Sequence, residues 1–535
     1  MPKNNISLLY PNEQAIDKKI EGLDNPKIST STLEALDLDY AIELNASRLC
    51  DMFTLDKDVI EYRQEVFKDL LENEELCSLL TKISPVLNDI SDVRRLSEND
   101  DSSDSYLYCI TEIELYITAV EMLYEGLSPI KENLKSRALN ALYNRAYEQL
   151  NSEDYKDLTE RLKELTRRVR EVKSVTIGVN LDSRLQPESA GVLSVNNEKF
   201  KSGELLQKIL RLDFKNNEYT CIAMMHPFKK GQSENQQYAL STAFHGALND
   251  VFKSSMRSWK KVVSTYVFEN ADYLICLAPE IEFVTKAVEL INTLKATENS
   301  LVFPKICDMS EKTFNVKGIY NPVVALKLND KMIENDFSFD ENGMFYVLSG
   351  PNRGGKSVIT CAVGHVFALA QLGLPVPASY AEISPVDGIF THFPMSADDT
   401  IDKGRLGEEC ARLDEIFDEI TENSLVLLDE SLSSTGSYEA SYIASEVLCG
   451  LSMATCRGIF STHLHELGDM IESINEKCQK DGGARIDTLV AGMDDGERSF
   501  KISRKKPDGK SYASDIATKF GISFEQIIKK IKKNN

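Results

Sequence analysis

The run Ser349-Gly350-Pro351-Asn352-Arg353-Gly354-Gly355-Lys356-Ser357 sets glycines, a lysine and a hydroxyl in the spacing G-x-x-x-x-G-K-S. Glycines let successive backbone N–H groups turn inward around phosphate oxygens, and a helix opening at Lys356 adds the positive end of its dipole. In this pattern Lys356 reaches the β- and γ-phosphates of a nucleotide and the Ser357 hydroxyl binds Mg²⁺. The residues read as nucleotide-binding are Gly350 through Ser357 and the following Val358. Ser424–Glu430, SLVLLDE, is an apolar run ending in two carboxylates. Asp429 at its end suits Mg²⁺, directly or through water, and Glu430 suits orientation or deprotonation of an attacking water. An ordinary strand ending in exposed acids looks the same, and the glycine loop upstream decides between the two. Gly458-Ile459-Phe460-Ser461-Thr462-His463 is a third apolar run. A lone histidine is more often a packed or exposed residue, but at a strand end in the same sheet His463 reads as a γ-phosphate sensor.

These residues need a parallel sheet to bring them together. Met344–Leu348 predicts a buried strand before the loop, and the segment from Lys356 predicts a helix after it. Val358–Val376 is nearly long and apolar enough for a membrane span, but it contains His365 and Gln371 and starts on the phosphate loop, so it reads as a helix buried against the sheet.

The chain has 535 residues, enough for two to four domains by the usual domain size. It is 42% hydrophobic and 27% charged, which is the composition of a soluble globular protein. The net charge of −23 argues against wholesale wrapping of nucleic acid, though not against a local basic surface. Eleven cysteines without a C-x-x-C pair read as reduced thiols, and the N-terminus lacks an apolar signal stretch, so a cytoplasmic location is expected.

Residues 32–96 carry apolar residues at helical spacing, including Leu36, Ile42 and Leu49; the acidic Ser97–Asp104 stretch reads as an exposed break, and helices resume from about Tyr106. Tyr155, Leu158, Leu162, Leu165, Val169 and Val172 form a short heptad seam, which fits a helix packed in a bundle or a lever arm. Val175–Asn180 and Gly191–Val195 predict two short strands with a turn region containing Pro187, and helical patterns return over Gln236–Leu294. Pro304 and the Gly318–Pro322 turn region set the boundary. The expected layout is a mostly helical region over 1–300, with a small β element at about 174–200, and a nucleotide-binding α/β domain over 301–535. After His463 a Gly482-Gly483 turn, strands near Leu489 and Phe500 and a terminal helix are predicted.

The loop GPNRGGKS resembles the G-P-N-x-G-G-K-S/T loop of the MutS family of DNA mismatch-repair ATPases. Gln371–Ala378, Ala381–Phe390, LVLLDE, Ser461–Leu467 and Ser511–Ala517 are similar to family segments in the family's order, so the resemblance runs from about residue 315 to 530. Upstream, Ala278-Pro279-Glu280 and the general run of helices resemble the family's core and lever region more weakly. The resemblance implies an ABC-type P-loop NTPase fold, ATP as the nucleotide, Mg²⁺, and a homodimer that sandwiches each nucleotide between one subunit's phosphate loop and the other's signature loop. It carries phosphate binding to Gly350–Ser357, metal assistance to Asp429, service of the water to Glu430, γ-phosphate sensing to His463 and adenine packing to Met332 and Ile333.

The chain departs from that pattern in places. The family's G-x-S-T-F-like signature run is Gly404-Arg405-Leu406-Gly407-Glu408-Glu409 here, without its serine, and the glycine-rich stretch after Glu430 is Ser431-Leu432-Ser433-Ser434-Thr435. No N-terminal mismatch-reading domain and no Smr-type nuclease region are expected, and Phe417-Asp418-Glu419 reads as a coincidental match to the mismatch-reading Phe-x-Glu. Lys253, Arg257 and Lys261, four apart on one helix face, with Lys260 and the lone Trp259 beside them, form the candidate DNA contact. The leading expectation is an ATP-switched dimeric clamp on duplex or branched DNA in repair or recombination. The alternative is an ATP-driven protein-interaction switch without nucleic acid, and a transporter ATPase fits less well because of the signature run and the fused helices.

Overall fold

The computed structural model describes residues 6–99, 106–170, 173–184, 187–199, 201–202, 220–221, 268–351, 353–394, 405–432, 436–494, 497–506 and 521–534. The chain divides into two compact units, one of Met1–Ser7 and Asn73–Glu282, the other of Leu8–Glu72 and Phe283–Asn535. The division departs from the expected boundary at residue 300. Leu8–Glu72 belongs with the sheet because Lys27 and Ile28 pair in parallel with Gly388 and Ile389, and because Leu33, Leu36 and Leu49 bury their side chains almost completely.

The first unit is helical, with Glu74–Asn99, Tyr106–Leu127, Arg137–Asn151 and Glu153–Arg170 as its long helices. Of the heptad seam, Tyr155, Leu158 and Leu162 are buried, and the Tyr155 ring meets Tyr116 edge-on at 6.3 Å. That half of the seam is therefore bundle packing, while the side chains of Leu165, Val169 and Val172 lie outside the described residues. Arg94 joins buried Glu112 at 2.7 Å and also pairs with Asp272. The predicted pair of strands forms an antiparallel hairpin, Ser174–Leu181 with Pro187–Asn196. Pro187 begins the second strand instead of lying in the turn, a place where a missing N–H costs no ladder bond. The acidic break is narrower than expected, since the helix before it runs to Asn99.

The second unit is built on a seven-stranded sheet. In chain order its strands are β1 (Lys27–Ile28), β2 (Phe345–Ser349), β3 (Gly388–His392), β4 (Leu425–Asp429), β5 (Arg457–Ser461), β6 (Ile486–Asp494) and β7 (Glu497–Arg504). Their spatial order is β1-β3-β4-β5-β2-β6-β7, parallel throughout except for the antiparallel β6–β7 pair at one edge. Every residue of β2, β4 and β5 is buried, as continuous apolar runs in a sheet covered on both faces require.

Among the described residues, four α-helices link β2 through β6 in the chain: α1 (Lys356–Gln371), α2 (Arg405–Glu419), α3 (Ser437–Ala454) and α4 (His465–Cys478). Helix α1 is buried along nearly its whole length, which accounts for its membrane-like composition; no described helix is long and apolar enough to cross a membrane. On another side of the sheet, Leu413, Ile416, Leu432, Ala444, Leu448, Leu451, Leu467 and Ile471 pack with Val426, Leu428 and Phe460 into one core. A second, four-stranded sheet contains Phe314–Ile319, so the segment expected to separate domains is part of this unit. Its Phe314 ring stacks on Phe367 of α1 at 4.5 Å.

Candidate nucleotide-binding and hydrolytic site

The sheet's topology creates one place where loops diverge. Strand β2 lies between β5 and β6, and the crevice beyond the carboxyl ends of such strands is where α/β sheets take ligands. Register brings the ends level: Asp429 is opposite Ser461, Ser461 is opposite Leu348, and Val490 is opposite Ser349.

The chain leaves β2 through Gly350, whose φ of +143° suits glycine alone; a Cβ there would lie 2.8 Å from the Ala491 Cβ and 3.1 Å from its backbone nitrogen. Gly354 donates its N–H to the Pro351 carbonyl at 3.1 Å, closing a tight turn, and Gly355, at φ +91°, caps α1 without any side-chain cap. The helix N-terminus thus opens onto the loop. Arg353 is exposed with φ +59°, Val358 is exposed, and Asn352 lies outside the described residues.

Lys356 is buried and folds back over its own loop. Its Nζ lies 3.1 Å from the Gly350 carbonyl, 3.3 Å from the Pro351 carbonyl and 3.3 Å from His463 Nδ1. Burial lowers its pKa, against the pull of the Glu430 and Asp429 charges. An ammonium has only donors, so Nδ1 of His463 accepts, and the imidazole's remaining proton sits on Nε2. That N–H donates to Glu430 Oε1 at 2.6 Å. Lysine, histidine and glutamate form one hydrogen-bonded chain across β2, β4 and β5.

Glu430 has φ +48° and is fixed by its N–H donating to the Ser461 carbonyl at 2.8 Å, while the Thr462 N–H reaches the Leu348 carbonyl at 3.0 Å. Asp429 is 7% exposed. Burial raises its pKa; the hydroxyls of Ser357 and Ser461 face it and pull the other way, as does Lys356, while Glu430 adds to the rise. Even so, among the described residues Asp429 Oδ1 and Ser461 Oγ end buried without a hydrogen-bond partner. A buried carboxylate oxygen left open beside an exposed serine hydroxyl is a donor set that fits a hard divalent cation. Asp429 and Ser357 would hold it.

Met332 donates its N–H to Asn299 Oδ1 at 2.8 Å, and Ile333 is 46% exposed. Two residues on, Asn335 clamps β7, its Nδ2 donating to the Phe500 carbonyl at 3.2 Å and its Oδ1 accepting from the Ile502 N–H at 2.8 Å. Phe500, at φ +54°, sets its ring against Gly355 and so borders the loop. Sequence reasoning missed Phe500, Ser461 and Asn335; only Ser461, two residues before His463, carried a local signal. Of the altered signature run, Arg405–Glu409 forms the start of α2, and Gly404 lies outside the described residues. Lys253, Arg257, Trp259, Lys260 and Lys261 also lie outside them.

Comparison with known proteins bears on this site and on the helical unit. A family model described as MutS domain V matches residues 346–532, and one described as MutS2 N-terminal domain matches residues 55–297. The chain is 27% identical over 322 residues to the DNA mismatch repair protein MutS of Prochlorococcus marinus strain MIT 9301, covering 58% of this chain and 34% of that protein. It is 33% identical over 206 residues to DNA mismatch repair protein MutS of Petrotoga mobilis, covering 36% of this chain and 25% of that one. DNA mismatch repair protein spellchecker 1 of Drosophila melanogaster is 24% identical over 497 residues, 89% of this chain and 50% of its own length. The chain therefore spans between a quarter and a half of these relatives.

Proposed function

This chain belongs to the MutS family, and from that footing we propose that its sheet-bearing unit is an ABC-type P-loop ATPase and that its nucleotide state switches a homodimeric clamp on duplex or branched DNA. The observation that carries the hydrolytic part is the hydrogen-bonded chain Lys356–His463–Glu430, set beside the open oxygen of Asp429 at the ends of adjacent parallel strands. MutS domain V is the ATPase domain of its family, and residues 346–532 match it.

In this reading Lys356 exchanges the carbonyls of Gly350 and Pro351 for phosphate oxygens, helped by the open N-terminus of α1. Ser357 and Asp429 would hold Mg²⁺, which when bound would neutralise phosphate charge. Glu430 orients a water and takes its proton as the water oxygen attacks the γ-phosphorus and the bond to the β-phosphate oxygen breaks, leaving ADP and phosphate. His463 keeps the Glu430 carboxylate turned inward and faces the γ-phosphate side of Lys356. Met332 and Ile333 pack on adenine, with Asn335 holding their segment to β7.

The DNA part rests on the family and on the names of the relatives. The net charge of −23 favours a second reading, an ATP-driven switch acting on proteins alone. A Glu430→Gln variant held with ATP and Mg²⁺ separates them when titrated with duplex, mismatched, branched and single-stranded DNA at two salt concentrations. Nucleotide-dependent, salt-sensitive, structure-selective binding is expected. ATP retention without binding to any of these DNAs overturns the clamp on DNA and leaves the protein switch.

A further inference from the structure

We propose that His392 is a positioning residue for hydrolysis, tying the turn that carries Glu430 to the first turns of α2 through its two ring nitrogens. The inference rests on the ATPase reading above. His392 ends β3, next to β4, and is buried. Its Nδ1 lies 2.7 Å from Ser431 Oγ and its Nε2 lies 3.2 Å from the backbone carbonyl of Glu409. A carbonyl only accepts, so Nε2 carries the proton, and Nδ1 accepts from the Ser431 hydroxyl. Burial, with Arg412 nearby, pushes the His392 pKa down to about 4, so the neutral ring required by this arrangement holds at neutral pH. Arg412 also donates to the Phe393 carbonyl at 3.2 Å, pinning the chain just beyond the ring.

Ser431 follows Glu430 directly, and its anchor sits between two residues in the left-handed region, Glu430 at φ +48° and Leu432 at φ +63°. Side chains with a Cβ disfavour that region, and neither residue is a glycine. Leu432 is 1% exposed in the core beside β4, which fixes the far side of the turn. Its near side is fixed by Ser431, whose one hydroxyl proton goes to the His392 ring, with the His392 carbonyl, 3.1 Å from the same Oγ, as the competing acceptor. A strained turn held at both ends keeps one backbone path, and that path sets where the Glu430 side chain starts. The other nitrogen of the same ring ends on α2, whose first residues are the altered signature segment. Movement of α2 is thereby felt at Glu430 through one rigid ring.

The test is steady-state ATP turnover by the full chain, with binding of a fluorescent ATP analogue and thermal melting measured in parallel. His392→Ala and Ser431→Ala are each expected to lower kcat about tenfold, the scale of one lost buried hydrogen bond, while nucleotide Kd stays within about twofold. The double variant is expected to be no slower than the worse single one, because both remove the same link. His392→Asn, whose amide occupies the place of Nδ1, is expected to recover most of the turnover, and His392→Gln, which reaches only toward Glu409, is not. Wild-type turnover in folded Ser431→Ala or His392→Ala overturns the proposal, as do losses that multiply in the double variant. Should His392→Ala melt below the assay temperature, Ser431→Ala and His392→Asn decide. A wild-type chain that binds the analogue but releases no phosphate overturns the ATPase reading itself, and this inference with it.

Discussion

Acidification should loosen the sheet-bearing unit through a histidine far from the phosphate loop. His365 lies in α1, fully buried, with Nε2 2.6 Å from the Leu36 carbonyl and Nδ1 without a hydrogen-bond partner among the described residues. Burial pushes its pKa down from 6.5 to about 4. Because the folded pKa is below the unfolded one, the unfolded chain takes up the proton first as pH falls. Stability from the neutral ring is complete above about pH 6.5 and is lost progressively down to about pH 4. At pH 5 a group with these two pKa values has withdrawn about 2 kcal/mol. That is a sizeable share of the roughly 5–15 kcal/mol that holds a domain folded. The assay is urea unfolding followed by far-UV circular dichroism at pH 7 and pH 5, for the wild type and His365→Gln. Glutamine offers an N–H to the Leu36 carbonyl and does not titrate, so the variant should lose about 2 kcal/mol less between the two pH values. Other groups, His392 among them, titrate equally in both proteins and cancel. Equal losses in wild type and variant would refute the claim that this imidazole is held neutral by burial.

Lys356→Met removes the ammonium that folds over the loop and should weaken Mg²⁺–ATP binding about 100-fold, equivalent to roughly 3 kcal/mol, in an equilibrium nucleotide titration; affinity within threefold of wild type would count against the loop as the phosphate site. Asp429→Asn should raise the Mg²⁺ concentration for half-maximal turnover about tenfold. The same change should raise the melting temperature without metal, since it replaces a desolvated carboxylate by an amide; an unchanged Mg²⁺ requirement would remove Asp429 from the metal site. Gly350→Ala pushes a Cβ against the Ala491 backbone and should destabilise the unit by about 3 kcal/mol in urea, and a loss under about 1 kcal/mol would contradict the close approach.

The chemistry that is local in sequence was the legible part. A glycine loop between a strand and a helix, or two acids ending an apolar run, announces itself within a short window because the chain must turn there to expose backbone N–H groups or carboxylates. Three such segments carry Lys356, Asp429, Glu430 and His463, and parallel pairing brings them level. Long-range partners were not legible. Strand β1 is two residues long, too short for any periodicity, and its place in the sheet is set by Gly388 and Ile389 far downstream. For the same reason the expected 1–300 boundary missed that Leu8–Glu72 belongs to the sheet-bearing unit. His392 is unremarkable in sequence, Ser431 and Glu409 stand out only as departures from a family pattern, and their meeting in space is what links them. Phe500 had no signal beyond its strand, since the ring's approach to Gly355 depends on the bend that its positive φ introduces.

The discontinuous make-up of the sheet-bearing unit also bears on how the protein is made. Thr32 donates its hydroxyl to the Ile389 carbonyl, a partner 357 positions later in the chain. At about 5–20 residues per second, translation takes roughly 18–70 s to bring that partner out of the ribosome. Through that interval Leu33, Leu36 and Leu49 have no sheet to cover them, while Asn73–Glu282 has already emerged. The sheet-bearing unit therefore cannot close around β1 until most of the chain has been made.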